Sequence, residues 1–114
     1  MPTMNAEPFV ERVLEDEGLT GDLDGPEATA LIAWLTGQVR QVATKAKAEK
    51  AAWDRVDALC RHARQVAKIV AAWQVDPGPA TVDRARQAGL TWPTGKVGSA
   101  GELLQALLAS KGHG

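Results

Sequence analysis

The sequence predicts an all-α protein, a small helical bundle built on a long helical hairpin with short N- and C-terminal helices. Three observations lead to this prediction. No segment alternates apolar and polar residues as a β-strand does. From residue 32 to residue 70, apolar or alanine positions recur in steps of three and four, the spacing of helices that pack side by side. Between Pro26 and the sequence "VDPGPA" at 75–80 there is no proline, and Gly37 is the only glycine.

The first helix is predicted from about residue 5 to residue 17. Asn5 can cap its amino end, because an Asn side chain accepts a hydrogen bond from a free backbone N–H. Gly18 is expected to end the helix in a left-handed conformation, with Leu19 packing back on Leu14. The apolar stripe of this helix comprises Phe9, Val10, Val13 and Leu14.

The segment "ATKAKAEKAA" at 43–52 decides between two architectures. Asp24 and Glu27 match the capping-box pattern that starts a helix, and Ala, Lys and Glu favour helix throughout the segment. One alternative is therefore a continuous helix over 26–74 that dimerises as a coiled coil. Such a helix would be ~73 Å long, and terminal helices of ~20 Å could not cover its apolar seam. We favour a hairpin, with arms at about 26–47 and 50–74.

Two short helices follow the hairpin. One is predicted from about residue 79 to residue 88, and Gly89 is expected to end it. The last helix begins at a capping box formed by Ser99 and Glu102. Its apolar stripe comprises Leu103, Leu104, Leu107 and Leu108.

Bulk properties predict one domain over 1–114, with disorder expected at 1–4 and 111–114. Cys60 is the only cysteine, which excludes an internal disulfide. No secretory signal is evident, and no segment has the ~20 apolar residues that a membrane span requires. We expect a cytoplasmic protein. Frequent Ala, Gly and Arg with few Lys indicate a GC-rich bacterial genome.

The second arm of the hairpin carries a candidate packing or partner face. Its middle is thin, because Cys60, Ala63 and Ala67 are small, whereas its ends carry tryptophans. Small residues let another helix approach closely. We expect most of the face to be the core of the domain itself. The seven residues are Trp53, Val56, Cys60, Ala63, Ala67, Val70 and Trp73.

Charge is segregated along the chain. Residues 1–27 hold eight acids and one base, and residues 40–68 hold eight bases and three acids. A candidate acidic cluster, Glu15, Asp16 and Glu17, lies at the carboxyl end of the first helix, where the helix dipole disfavours negative charge. We expect the basic second arm to compensate it.

The basic residues also allow a different function, which is binding of nucleic-acid phosphates. The net charge of the chain is −1, and a dedicated nucleic-acid surface usually belongs to a basic domain. Internal or protein–protein ion pairing is therefore favoured over nucleic acid. The candidate basic face comprises Arg40, Lys47, Arg55, Arg61, Arg64 and Lys68.

Motifs for catalysis, cofactors and metals are lacking. "GLTWPTGKV" is not a phosphate-binding loop, because five residues separate Gly89 from Gly95 and Val97 replaces the hydroxyl that would bind magnesium. Cys60 and His62 are two residues apart and point to different sides of a helix, so neither a zinc site nor a Cys–His pair is predicted.

Three functional hypotheses follow. The first is a non-catalytic helical module for protein–protein interaction or assembly, which binds itself or another protein. The second is a nucleic-acid-binding protein that uses the basic face of residues 40–68. The third is a small-ligand binder or enzyme with a pocket near the Trp92 loop. We predict no catalytic, cofactor-binding or metal-ligating residue, no membrane association and no bound metal.

Overall fold

The computed structural model describes residues 5–16, 18–20, 23 and 25–109. This part of the chain contains helices and no strand, which confirms the all-α prediction. The predicted termini 1–4 and 111–114, Glu17 and Asp24 lie outside the described residues. The helices are α1 (Glu7–Leu14), α2 (Gly25–Lys45), α3 (Glu49–Val75), α4 (Pro79–Gln87) and α5 (Ala100–Ala109).

The chain reverses direction between α2 and α3, which confirms the hairpin. The last backbone hydrogen bond of α2 runs from the N–H of Ala46 to the carbonyl of Val42 at 2.8 Å. Ala48 then adopts an extended conformation, with φ −146° and ψ 151°, directly before α3. The continuous helix over 26–74 is therefore not adopted, although every residue of the connection favours helix. Packing of α2 against α3 outweighs this local preference.

Helix α3 is the centre of the bundle, since it packs against each of the other four helices. At ~1.5 Å per residue, its 27 residues span about 40 Å. Ala63 and Ala67 are fully buried, so neighbouring helices come close to the middle of α3. The apolar stripe of α5 is buried against α3 and α2, as predicted. No described helix combines the length and the apolar character that a membrane crossing needs.

The end of α1 differs from the prediction. The helix stops at Leu14 rather than at residue 17, and the side chain of Leu14 is 59% exposed whereas Leu19 is 2% exposed. Gly18 does not take the left-handed conformation; its N–H donates to Asp16 Oδ1 at 3.1 Å. Because the chain leaves the helix early, Leu19 enters the core and Leu14 stays outside the stripe.

The predicted caps at Asn5 and Ser99 are found. Asn5 Oδ1 accepts the N–H of Glu7 at 3.1 Å at the start of α1. Ser99 Oγ accepts the N–H of Glu102 at 3.2 Å at the start of α5. The Glu102 carboxylate accepts the N–H of Gly98 at 2.8 Å, one residue before the cap.

Gly89 ends α4 in the predicted left-handed conformation, with φ 84°. The N–H of Leu90 donates to the carbonyl of Ala85 at 2.9 Å, and the N–H of Gly89 donates to that of Arg86 at 3.0 Å. This pair of bonds is the Schellman motif, and the buried Leu90 and Ala85 form its apolar contact. The motif turns the chain back towards the bundle.

Ala48→Asp tests the reversal between α2 and α3. Ala48 is the N-cap of α3 and offers no side-chain hydrogen bond, so an Asp there would accept a free N–H and raise the free energy of unfolding by about 1 kcal/mol. In a continuous helix the same substitution would lower it by about 0.7 kcal/mol or less. Urea unfolding shows whether the free energy of unfolding of Ala48→Asp rises or falls relative to the unaltered chain. Ala58→Asp, at an exposed position inside α3, is the control and is expected to destabilise.

Ala63→Leu tests the close approach of helices at the middle of α3. The alanine is fully buried, so the larger side chain should lower the free energy of unfolding by about 1 to 3 kcal/mol through overpacking. Ala58→Leu makes the same change on the exposed side of the same helix and should alter it by about 0.5 kcal/mol at most. Equal effects of the two variants in urea unfolding would contradict the packing described here.

Candidate functional site

The seven residues of the predicted packing or partner face line the inside of the bundle. Val56, Ala63, Ala67 and Val70 are fully buried, and the other three are partly buried against the same core. They serve the packing of this chain and leave little surface for a partner.

Trp53 shows how α1 covers one end of this face. Its ring centroid lies 4.3 Å from that of Phe9. The guanidinium of Arg12 lies 5.2 Å from the Trp53 ring centroid, within the range of a cation–π contact. Both contacts come from α1, so this tryptophan fastens the N-terminal helix to α3.

The predicted basic face is divided by the fold. All six of its residues are exposed, but Arg40 lies on α2 and Lys47 in the connection between α2 and α3. On α3, Arg61, Arg64 and Lys68 share one side because they are spaced three and four residues apart. Arg55 is nine residues from Arg64, about two and a half turns, and so points the opposite way. Nucleic-acid binding by these six residues stays a prediction.

The acidic cluster and the basic arm meet in one ion pair. Asp16 pairs with Arg64, 48 residues away in sequence, which joins the chain just after α1 to the middle of α3. The hydrogen bond and the charge of Asp16 raise the pKa of Arg64. Glu15 is exposed, and Glu17 lies outside the described residues. The expected compensation of the acidic cluster is thus found for Asp16.

A polar groove of about 480 Å³ surrounds this ion pair between α1 and α3. Burial raises the pKa of the Cys60 thiol, and the nearby carboxylates of Asp16 and Asp57 raise it further, against the opposing charges of Arg64 and Arg12. A thiol with a raised pKa stays protonated at neutral pH and is a poor nucleophile. The groove is lined by Arg12, Glu15, Asp16, Asp57, Cys60, Arg61 and Arg64.

His62 is not placed to activate this thiol. Its Nε2 lies 3.3 Å from the carbonyl oxygen of Leu108 in α5, and its ring centroid lies 5.9 Å from that of Trp34 in α2. It therefore faces the junction of α2, α3 and α5. No three His, Cys, Asp or Glu side chains among the described residues cluster closely enough to hold a metal ion.

A second groove, of about 760 Å³, lies between the end of α3 and the start of α4. Within the described part of the chain, α4 packs against α3 and no other helix. Thr81 is buried, and its Oγ1 donates to the carbonyl oxygen of Asp76 at 2.8 Å, which holds α4 at a set angle. The groove is lined by Lys68, Ala71, Ala72, Gln74, Val75, Asp76, Ala80, Thr81 and Arg84.

The chemistry of the α3–α4 groove combines small apolar side chains with cations. Ala71, Ala72 and Ala80 leave room for a ligand, and Val75 is 88% exposed. Lys68 from α3 and Arg84 from α4 add positive charge on two different helices. The sequence-based prediction missed this groove, because it depends on the angle between two helices.

Trp92, near which the sequence allows a ligand pocket, is partly buried against the core. It lines neither the α1–α3 groove nor the α3–α4 groove. The spacing of the glycines in the surrounding segment does not fit a phosphate-binding loop. A pocket at Trp92 stays a prediction.

Alkylation of Cys60 tests the electrostatics of the α1–α3 groove. The pKa of the thiol is raised in the folded chain, so iodoacetamide should react more slowly with native protein than with protein unfolded in urea. The midpoint of the curve of reaction rate against pH should lie at a higher pH for the native protein than for the unfolded protein. Asp57→Asn should lower that midpoint, since one of the charges that raise the pKa is removed.

The raised pKa of Cys60 also determines whether folding stability rises or falls with pH. Above the unfolded-state pKa of about 8.5 the thiolate forms first in the unfolded chain, so folding stability from this group falls as pH rises. Identical rate–pH midpoints for native and unfolded protein would contradict the described environment of Cys60.

Comparison of the chain with protein-family models, curated proteins and solved structures finds no match. Function is therefore argued from the surface of the chain itself. The α1–α3 groove carries balanced charges and a thiol whose pKa is raised, whereas the α3–α4 groove combines apolar surface with an excess of positive charge. The α3–α4 groove is the better candidate for a binding site.

Proposed function

We propose that the chain is a non-catalytic helical interaction module that binds an acidic, amphipathic helical segment of a protein in the α3–α4 groove. The observation that carries this proposal is the exposure of Val75, at 88%, in the wall of a groove whose lining also includes three alanines and two cations. An amphipathic helix in an apolar groove is a common mode of peptide recognition.

Shape and hydrophobicity support a helical ligand. A single exposed apolar side chain is ordinary on a protein surface, but Val75 continues the lining formed by Ala71 and Ala72 one turn earlier on α3. Together with Ala80 on α4, these side chains form an apolar surface without bulky groups. A leucine or similar side chain of a partner helix could be buried there.

Charge supports an acidic ligand. Asp76 is the only acid in the lining of the groove, against the two cations Lys68 and Arg84. Neither cation has an ion-pair partner among the described residues. Because they lie on two different helices, they can contact carboxylates on both sides of a bound helix. Such charge complementarity favours one class of partner and speeds association.

The absence of an assembled catalytic group among the described residues supports a binding role over an enzymatic one. Burial keeps the Cys60 thiol protonated, and His62 faces α5 instead of this thiol. The Asp16 carboxylate is engaged in the ion pair with Arg64 in the α1–α3 groove.

Fluorescence anisotropy with three labelled helical peptides tests the proposal. The peptides share one apolar stripe and carry Glu, Gln or Lys at the remaining positions. We expect binding of the Glu peptide at low salt, weaker binding of the Gln peptide and no binding of the Lys peptide.

Groove variants locate the binding. Replacing both Lys68 and Arg84 by Gln should weaken binding of the Glu peptide about tenfold, as expected for the loss of two ion pairs at the rim of an interface. The matched control replaces Arg40 and Arg55 by Gln, an equal charge change at exposed positions outside the groove. This control should bind as the unaltered chain does.

Labelled single-stranded and duplex DNA serve as the competing ligands. Tighter binding of DNA than of the Glu peptide, with loss of affinity in the Arg40 and Arg55 control, would overturn the proposal in favour of nucleic acid. Equal effects of the groove variant and the control on peptide binding would also overturn it, because they would show that affinity depends on charge alone.

A further inference from the structure

We infer that the acidic helix bound by the α3–α4 groove is α1 of a second copy of this chain, an inference that rests on the proposed function. The chain would then associate with itself, one copy supplying an acidic face and the next a basic groove. Both halves of this contact are present in the structure.

The outer side of α1 has the chemistry that the groove requires. Glu7, Glu11, Leu14 and Glu15 are spaced at i, i+4, i+7 and i+8, so they share one side of the helix. All four are exposed, and Glu15, which also lines the α1–α3 groove, forms no ion pair among the described residues. We call them the acidic face of α1. The opposite side of α1 is buried in its own bundle through Phe9, Val10 and Val13.

The two exposed large hydrophobic side chains of the described residues match this arrangement. Leu14 and Val75 are the large hydrophobic residues that the folded chain leaves exposed, at 59% and 88%. Leu14 lies on the acidic face of α1, whereas Val75 lies in the groove with Lys68 and Arg84. Contact between the leucine of one copy and the valine of another would remove both from water, with opposite charges around them.

In the part of the chain that the structure describes, most of the segregated charge forms no ion pair. Among the described residues, Asp16 and Arg64 form the ion pair that joins two helices, and the other salt bridge, Lys50 with Asp54, lies within α3. The acidic face of α1 and the cations of the groove are in neither pair. The net charge of −1 means that two copies repel each other little, so opposite patches can attract across copies.

A copy cannot place its own α1 in its own groove. Helix α1 is fastened to α2 and α3 by its buried side, and Asp16 holds its end at Arg64. Helices α1 and α4 do not touch within the described chain. Since the two patches are different surfaces, each copy can offer its α1 to one neighbour and its groove to another. The contact is small beside the ~1,200 Å² of a stable interface, so weak association is expected.

Analytical ultracentrifugation of the full chain tests this inference. The average mass should rise with protein concentration at low salt and return to that of the monomer at high salt, because the contact depends on exposed charges. A monomer at every concentration and salt level would overturn the inference.

Two variants separate the halves of the contact. The groove variant carries Lys68→Gln and Val75→Ser, and the face variant carries Glu11→Gln and Leu14→Ser; all four positions are exposed. Each variant alone should stay monomeric at concentrations where the unaltered chain associates. Mixed together, they should form a 1:1 complex, since the first keeps an intact α1 and the second an intact groove. Arg55→Gln, outside both patches, should associate as the unaltered chain does.

The outcomes of the two experiments distinguish the inference from the proposed function. Binding of the Glu peptide without self-association would show that the groove takes a different acidic helix, which overturns the inference alone. Self-association that the two variants leave unchanged also overturns it, since another surface would then be responsible. If neither peptide binding nor self-association occurs, both proposals fail. Unaltered circular dichroism and thermal unfolding of each variant exclude loss of fold as the cause.

Discussion

The close packing of α3 against α2 is the constraint on which the rest of the structure depends. It requires the chain to reverse at Ala46–Ala48, in a segment without glycine or proline. The local helix preference there amounts to tenths of a kcal/mol per residue, whereas fully burying one Leu or Val side chain contributes about 1.5 to 3 kcal/mol. Leu35, Val39 and Val56 are fully buried in the bundle, so packing outweighs propensity.

Sequence patterns predicted correctly those helix ends that are determined by residues within the same turn. The left-handed Gly89 and the Ser99 cap were recognisable because a glycine after a helix and a Ser-x-x-Glu pattern act within one turn. The end of α1 was not recognisable in this way. Gly18 suggested a left-handed stop, but the chain leaves the helix at Leu14 and buries Leu19 instead. Whether Leu14 or Leu19 enters the core depends on the positions of α2 and α3. A local sequence pattern carries no information about those positions.

The same distinction applies to the candidate site. Sequence spacing identified exposed basic residues, but Arg55 and Arg64 point in opposite directions on α3 and Arg40 belongs to the other arm. The α3–α4 groove was missed because it arises from the angle that Thr81 sets by its bond to Asp76. A weak signal was present: Val75 is an apolar residue directly before the helix-breaking "DPGP", where a polar residue would be expected on an exposed helix end.

The central position of α3 also determines where recognition can occur. Helices α2, α5 and α1 pack against its apolar residues. The residues that form its heptad-like apolar pattern therefore serve the core of the bundle. Among the described residues, the helix that packs on the last turns of α3 is the short α4, and Val75 stays exposed there in the groove with Lys68 and Arg84. On α1, the buried side holds the helix in place and the acidic face remains outside. Burial of the core thus leaves two small surfaces of opposite charge, and the proposed recognition between copies rests on their difference.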